Sequence, residues 1–179
     1  MLTQAALFLL DALVGFFTLA LLLRFFMQAF RVSFANPIGA FVVQLTNWLV
    51  KPLRRVIPAA FGFDSASLFA AYLLQVLLLL AVFALRGGLA IVAPEQLILP
   101  LLGQALLATV RASVYLLIGA LILQAVLSWV NPYSPLAGPA AQLTRPLLNP
   151  IRRILPPIAG IDLSPLVAIL LAQLVLIFL

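Results

Sequence analysis

NPIGAFVVQLTNWLVKPLRRVIPAAFGFDSASL, residues 36–68, lies without a gap over SPLAGPAAQLTRPLLNPIRRILPPIAGIDLSPL, residues 134–166. Twelve of the 33 aligned positions are identical, at a constant offset of 98 residues. The matches include Pro37/Pro135, Gln44/Gln142, Thr46/Thr144, Pro52/Pro150, Arg54/Arg152, Arg55/Arg153, Pro58/Pro156, Gly62/Gly160 and Asp64/Asp162. Apolar bias alone does not align prolines, glycines and charges. One unit is used twice, and the chain divides into halves at residues 1–92 and 93–179.

Outward from these blocks the chain is apolar. Of its 179 residues, 66% are hydrophobic and 8% charged, against roughly 25% charged in a soluble domain. So little polar surface cannot cover a chain of this size in water, and the expected solvent is a bilayer. A helix crossing the hydrocarbon core needs about 20 residues. Four spans are expected, near residues 5–30, 67–85, 108–130 and 163–179. A cleaved secretory signal would need a basic segment before a short apolar core. Met1 to Leu10 holds no basic residue and the apolar run is too long, so the first span is expected to remain.

Each half therefore reads span, basic loop, span. Two spans per half bring both halves into the membrane in the same orientation, as parallel repeats. The fold class expected is an all-α membrane protein: four transmembrane helices in two helical-hairpin repeats, each with a basic amphipathic helix in its loop. The loops carry Arg31, Lys51, Arg54, Arg55, Arg145, Arg152 and Arg153, whereas Arg86 and Arg111 fall on the connector side. Lysine and arginine accumulate on the cytoplasmic side. Both loops are expected in the cytoplasm and both termini outside, in a bacterial inner membrane.

Within the first loop, Ile38, Phe41, Val42, Leu45, Leu49, Leu53, Val56 and Ile57 recur at steps suited to one helix face, with Gln44, Asn47, Lys51, Arg54 and Arg55 opposite. The second repeats it, with Leu136, Ala140, Leu143, Leu147, Ile151, Ile154 and Leu155 opposing Gln142, Arg145, Asn149, Arg152 and Arg153. Pro52 and Pro150 are expected to break these helices, since proline removes a donor and crowds the preceding turn. Such helices can lie in the headgroup plane. Their cations either fix topology or form a docking surface for an anionic lipid headgroup or a protein partner. Nucleic acid is not expected, because the cations are few and lack interleaved aromatics.

The remaining polar residues have assignable roles. Asp64 and Asp162 precede spans two and four, where an aspartate caps free N–H groups and suits the positive dipole end; pairing with the preceding arginines is the alternative. Gly62 and Gly160 suit a sharp re-entry needing a positive φ. Asn36-Pro37 and Asn131-Pro132 read as turns. Gln75 and Gln173 lie inside spans, where an amide is expected to hydrogen-bond another helix or line a polar path. Asp11 and Arg24 lie about 20 Å apart along one helix and cannot pair. Interfacial placement is expected for both, with Arg24 reaching toward the headgroups; the alternative is a functional charge inside the membrane.

Chemistry is sparse. The chain has no cysteine and no histidine, which removes thiolates and the commonest general base and metal ligand. Four carboxylates remain: Asp11, Asp64, Glu95 and Asp162. No enzymatic activity and no cofactor are expected.

The second loop reads Asn131-Pro132-Tyr133-Ser134-Pro135-Leu136, then Leu143 to Pro157, then Gly160, Asp162, Ser164 and Pro165. This combination resembles the YggT family (YlmG-like in cyanobacteria and plastids) over about residues 5–179. The first copy departs at Phe41, Trp48 and Ser65-Ala66-Ser67, which replace Pro139, Pro146 and Leu163-Ser164-Pro165. Members of the family are linked to osmotic stress tolerance, to cell division or nucleoid distribution, and in plastids to cytochrome b6 maturation. The resemblance implies an assembly or organising role for membrane complexes and brings no catalytic residue. Self-association or other membrane proteins are the expected partners besides lipid. The competing expectation is an oligomeric channel or transporter for ions or osmolytes.

Overall fold

Away from water, a peptide chain must satisfy its own N–H and C=O groups, and an α-helix does so within one segment. The computed structural model describes residues 1–57, 63–87, 94–155 and 162–179. Gly62, Gly160, Pro58, Pro156 and the 92/93 division between the halves lie outside the described residues. Six helices are described: α1 Leu2–Ala29, α2 Pro37–Val56, α3 Ser65–Leu85, α4 Pro94–Val130, α5 Ala137–Ile154 and α6 Ser164–Phe178. Thr3–Ala29, Ser65–Leu85 and Glu95–Val130 are long and apolar enough to cross a bilayer. Only 22%, 22% and 17% of their most apolar windows are buried, so most of each apolar surface faces outward. α6 coincides with the fourth expected span, but at 15 residues it is about 22 Å long, short of the usual spanning length.

Packing follows the repeat. Thr18 lies beside Gln75, and Arg24 beside Asp64, so α1 and α3 run antiparallel. Leu121 packs on Ala168, and Arg111 donates to the carbonyl of Leu179, so α4 and α6 do the same. Between the halves, Ala112 and Leu116 pack against the cluster that holds Leu21 and Leu22, and Ala120 shares a second cluster with Met27. α1 and α4 therefore lie side by side and run in the same direction. Small residues make the α1–α3 contact close: Ala66, Ala70 and Ala71 are 1%, 0% and 0% exposed against Leu21 and Leu22. Close backbone approach through small residues is the usual solution where lipid supplies no hydrophobic drive between helices.

Three expectations are corrected. α4 does not begin near residue 108 after a connector; it begins at Pro94 and runs for 37 residues. Proline needs no N–H partner at a helix start, and Glu95 in the first turn favours the dipole. The prolines do not break the loop helices either: α2 continues through Pro52, and α5 through Pro146 and Pro150. Val50 is fully buried and Leu53 packs on the same cluster. A break at Pro52 would carry Leu53 off the core, so the lost hydrogen bond is tolerated. Finally, the buried stripe of α2 is narrower than the pattern implied. It comprises Gly39, Val42, Thr46 and Val50, with Phe41 and Val56 exposed.

Entry into the loop helices also differs between halves. Asn36 Oδ1 accepts from the Gly39 N–H at 2.9 Å, with Pro37 opening α2. Ser134 replaces that asparagine, Pro135 stays in the turn, and α5 starts only at Ala137. Inside the helix pair, Gln75 Nε2 donates to Thr18 Oγ1 at 3.2 Å, buried between α1 and α3. A double-mutant cycle of Gln75→Leu with Thr18→Val should give a coupling of about 0.6–2 kcal/mol in unfolding measured in detergent. Additive effects would mean that this bond contributes nothing.

Candidate functional site

α1, α2 and the start of α3 converge on a buried polar cluster. Asp64 is the N-terminal flanking residue of α3, and its side chain is 2% exposed. Its Oδ2 accepts from Arg54 Nη2 at 2.7 Å and Ser67 Oγ at 2.6 Å, and its Oδ1 accepts from Arg54 Nε at 3.3 Å. Arg24 Nε lies 3.5 Å from Oδ2. Arg24 Nη1 also donates to Thr46 Oγ1 at 2.8 Å and Asn47 Oδ1 at 3.1 Å. Thr46 is held for this by donating its own proton to the Val42 carbonyl at 2.6 Å.

Rather than reaching out toward the headgroups, Arg24 is 5% exposed and enclosed by protein. The cluster also changes the reading of Asp64, whose side chain makes no capping bond to the backbone. Two guanidinium groups compete for it instead. Burial alone would raise the Asp64 carboxyl. The Arg54 and Ser67 hydrogen bonds, with the charges of Arg54 and Arg24, outweigh that and hold it below the ordinary carboxylate range.

The second half keeps only part of this arrangement. Arg152 Nε and Nη2 donate to Asp162 Oδ2 at 2.9 and 2.6 Å, and the Ser164 N–H donates to Oδ1 at 3.0 Å. Here the aspartate both pairs and caps. Burial would raise its carboxyl, but bonding from Ser164 and Arg152 draws it below the usual range. Ile122, Arg145 and Pro165 stand where the first half has Arg24, Asn47 and Ser67. The pair is accordingly open, with side chains 40% and 36% exposed. The signal that could have located the Arg24 cluster was there: three polar residues of the first copy are exchanged together in the second.

The repeated arginine pairs thus divide in two. Arg54 and Arg152, with side chains 47% and 40% exposed, are bonded to the aspartates that precede α3 and α6. Lys51, Arg55, Arg145 and Arg153 are exposed, with no acidic partner among the described residues. Along α2 these cations share the outward surface with Phe41 and Trp48, which are 55% and 63% exposed. Of the other polar candidates, Asp11 is exposed on α1, Gln75 is bonded to Thr18, and Gln173 is exposed on α6. Between the halves lies an apolar cleft of about 320 Å³, lined by residues such as Leu23, Met27, Leu116, Ala120 and Leu143.

A family model described as CCB3/YggT matches residues 3–85 and 103–179. The chain is 39% identical over 165 residues to a protein of Escherichia coli described as "Uncharacterized protein YggT", covering 92% of this chain and 83% of that one. It is 38% identical over 176 residues to "Uncharacterized protein PA0392" of Pseudomonas aeruginosa, covering 97% and 87%. A Haemophilus influenzae protein shares 32% identity over 167 residues, covering 93% and 86%. No solved structure matches.

Proposed function

From the premise that this chain belongs to the CCB3/YggT family, we propose that it is a non-enzymatic inner-membrane protein that organises or helps assemble membrane complexes. Its docking surface is the outward face of α2 and α5. In this reading α1, α3, α4 and α6 cross the membrane, and both loop helices lie at the cytoplasmic interface. Osmotic stress tolerance would follow indirectly, through the complexes it supports.

The observation that carries the reading is the division of the arginine pairs. An arginine needed only to hold the loop would be spent on an internal carboxylate, as Arg54 and Arg152 are. Arg55, Arg153, Lys51 and Arg145 make no such pair among the described residues. On α2, Lys51 and Arg55 share the exposed side of the helix with Trp48 and, further toward its start, Phe41. Cations and large apolar groups on one helix surface suit the boundary between headgroups and acyl chains. A path for hydrated ions or osmolytes would need polar lining, whereas the cleft between the halves is apolar.

Two measurements on the full chain test this. Photo-cross-linking from a residue replacing Asn149, beside Arg153, should capture one defined membrane protein in native membranes. Ion and solute flux through the reconstituted protein should be absent. Flux together with capture of lipid alone would reverse the proposal in favour of a channel.

A further inference from the structure

Gln173 is the tenth of the fifteen residues of α6. It is exposed and has no hydrogen-bond partner among the described residues. Its counterpart Gln75 is satisfied by Thr18, but Leu116 stands at the position equivalent to Thr18. The second half has kept the amide and lost the internal partner. An unpaired primary amide facing hydrocarbon is costly, since nothing there donates or accepts.

The position of Gln173 on the helix says where a partner would sit. α6 packs on its own chain through Ser164, Pro165 and Ala168. Leu166, Leu170, Gln173 and Ile177 follow spacings of four, three and four, and all are exposed; the three apolar members are 56%, 57% and 77% exposed. At 3.6 residues per turn this seam lies opposite the packed face. It has the spacing of a helix–helix seam with one polar residue at its centre, the arrangement that fixes register and oligomeric state. A carboxamide carries both a donor and an acceptor. Two copies related by a two-fold axis can therefore satisfy each other's Gln173 without any further chemistry.

We propose that α6 is a homodimerisation helix and that a second copy of this chain occupies the Leu166–Leu170–Gln173–Ile177 seam, with the two Gln173 amides hydrogen-bonded across the axis. The inference rests on α6 lying in lipid, as in the proposed membrane arrangement, and is independent of the docking role of α2 and α5.

The absence of native cysteine makes the test clean. Leu170→Cys and Ile177→Cys variants of the full chain are oxidised in native membranes. Each should give a disulfide-linked species of twice the 19.3 kDa chain mass, whereas Leu171→Cys, on the flank, should not. Adding Gln173→Leu should weaken association about 3- to 30-fold, the range set by one interhelical hydrogen bond of roughly 0.6–2 kcal/mol. Gln173→Asn should retain most of it. Equal cross-linking from Leu171→Cys, or none from the seam, would overturn the dimer. Labelling of Leu170→Cys by a water-soluble maleimide would overturn the lipid placement as well, and so separates the two failures.

Discussion

Asp64→Ala should destabilise the protein by about 3–5 kcal/mol, whereas Asp162→Ala should cost about 1 kcal/mol. The two aspartates are sequence equivalents, so the difference comes from what surrounds them. Removing Asp64 leaves Arg24 charged and enclosed, with only the neutral oxygens of Thr46 and Asn47 as acceptors. Taking one partner from a buried ion pair leaves an uncompensated charge, which is the expensive case. Asp162 meets Arg152 where both side chains are more than a third exposed, so solvent replaces most of what is lost, and one backbone cap goes with it. Unfolding in mild detergent, followed by circular dichroism, measures both. Adding Arg24→Met to Asp64→Ala should recover most of the loss, because the stranded charge goes too. Equal costs for the two aspartates, or no recovery in the double variant, would mean that the Arg24 cluster is not what holds the first half together.

The same cluster sets the response to acid. The Asp64 carboxyl is held below its ordinary range in the folded chain, so the unfolded state takes up a proton at higher pH than the folded one. The stabilisation is present at neutral pH. It is lost as pH falls below the ordinary carboxylate value, about 3.9, toward the depressed folded value.

Much of the architecture could be read from the residues, because repeated helices leave periodic and compositional marks. The 98-residue offset located α2 against α5 and α3 against α6, and the apolar runs located the long helices. What escaped depends on which helices touch. The sequence leaves Arg24 with no acid in reach, because Asp11 lies about 20 Å away along α1; its partners come from α2 and the start of α3, which periodicity on one helix cannot reveal. The intrinsic cost of an internal proline predicts a break at Pro52, but the packing of Leu53, which continuity preserves, is invisible to a local pattern. Within their own spans Gln75 and Gln173 are alike. Only the partner position, Thr18 in one half and Leu116 in the other, separates them. α4 reached further back than its most apolar stretch because a helix start is set by Pro94 and Glu95 rather than by hydropathy.

Neutralising the outward cations should abolish anionic recognition while leaving the fold intact. Lys51, Arg55, Arg145 and Arg153 are exposed and unpaired among the described residues, so replacing all four by glutamine removes no described internal contact. Each cation near an anionic leaflet contributes about 1 kcal/mol, so the set should account for about 4 kcal/mol, near a thousandfold in affinity. Native mass spectrometry of the detergent-purified chain, titrated with phosphatidylglycerol against phosphatidylcholine, measures the lipid term. Cross-linking beside Arg153 measures the protein term. Arg54→Gln with Arg152→Gln should behave in the opposite way, lowering stability while leaving anionic binding largely in place, because those guanidinium groups are committed to Asp64 and Asp162. Raising salt should weaken binding to the parent chain and leave the quadruple variant unaffected. Topology is the decisive control. Arg31, Arg54 and Arg152 still outnumber Arg86 and Arg111 after the substitutions, so orientation should hold. Lost binding with unchanged orientation would assign the outer cations to recognition. An inverted chain would reduce them to topology signals, and unchanged binding would remove the docking surface altogether.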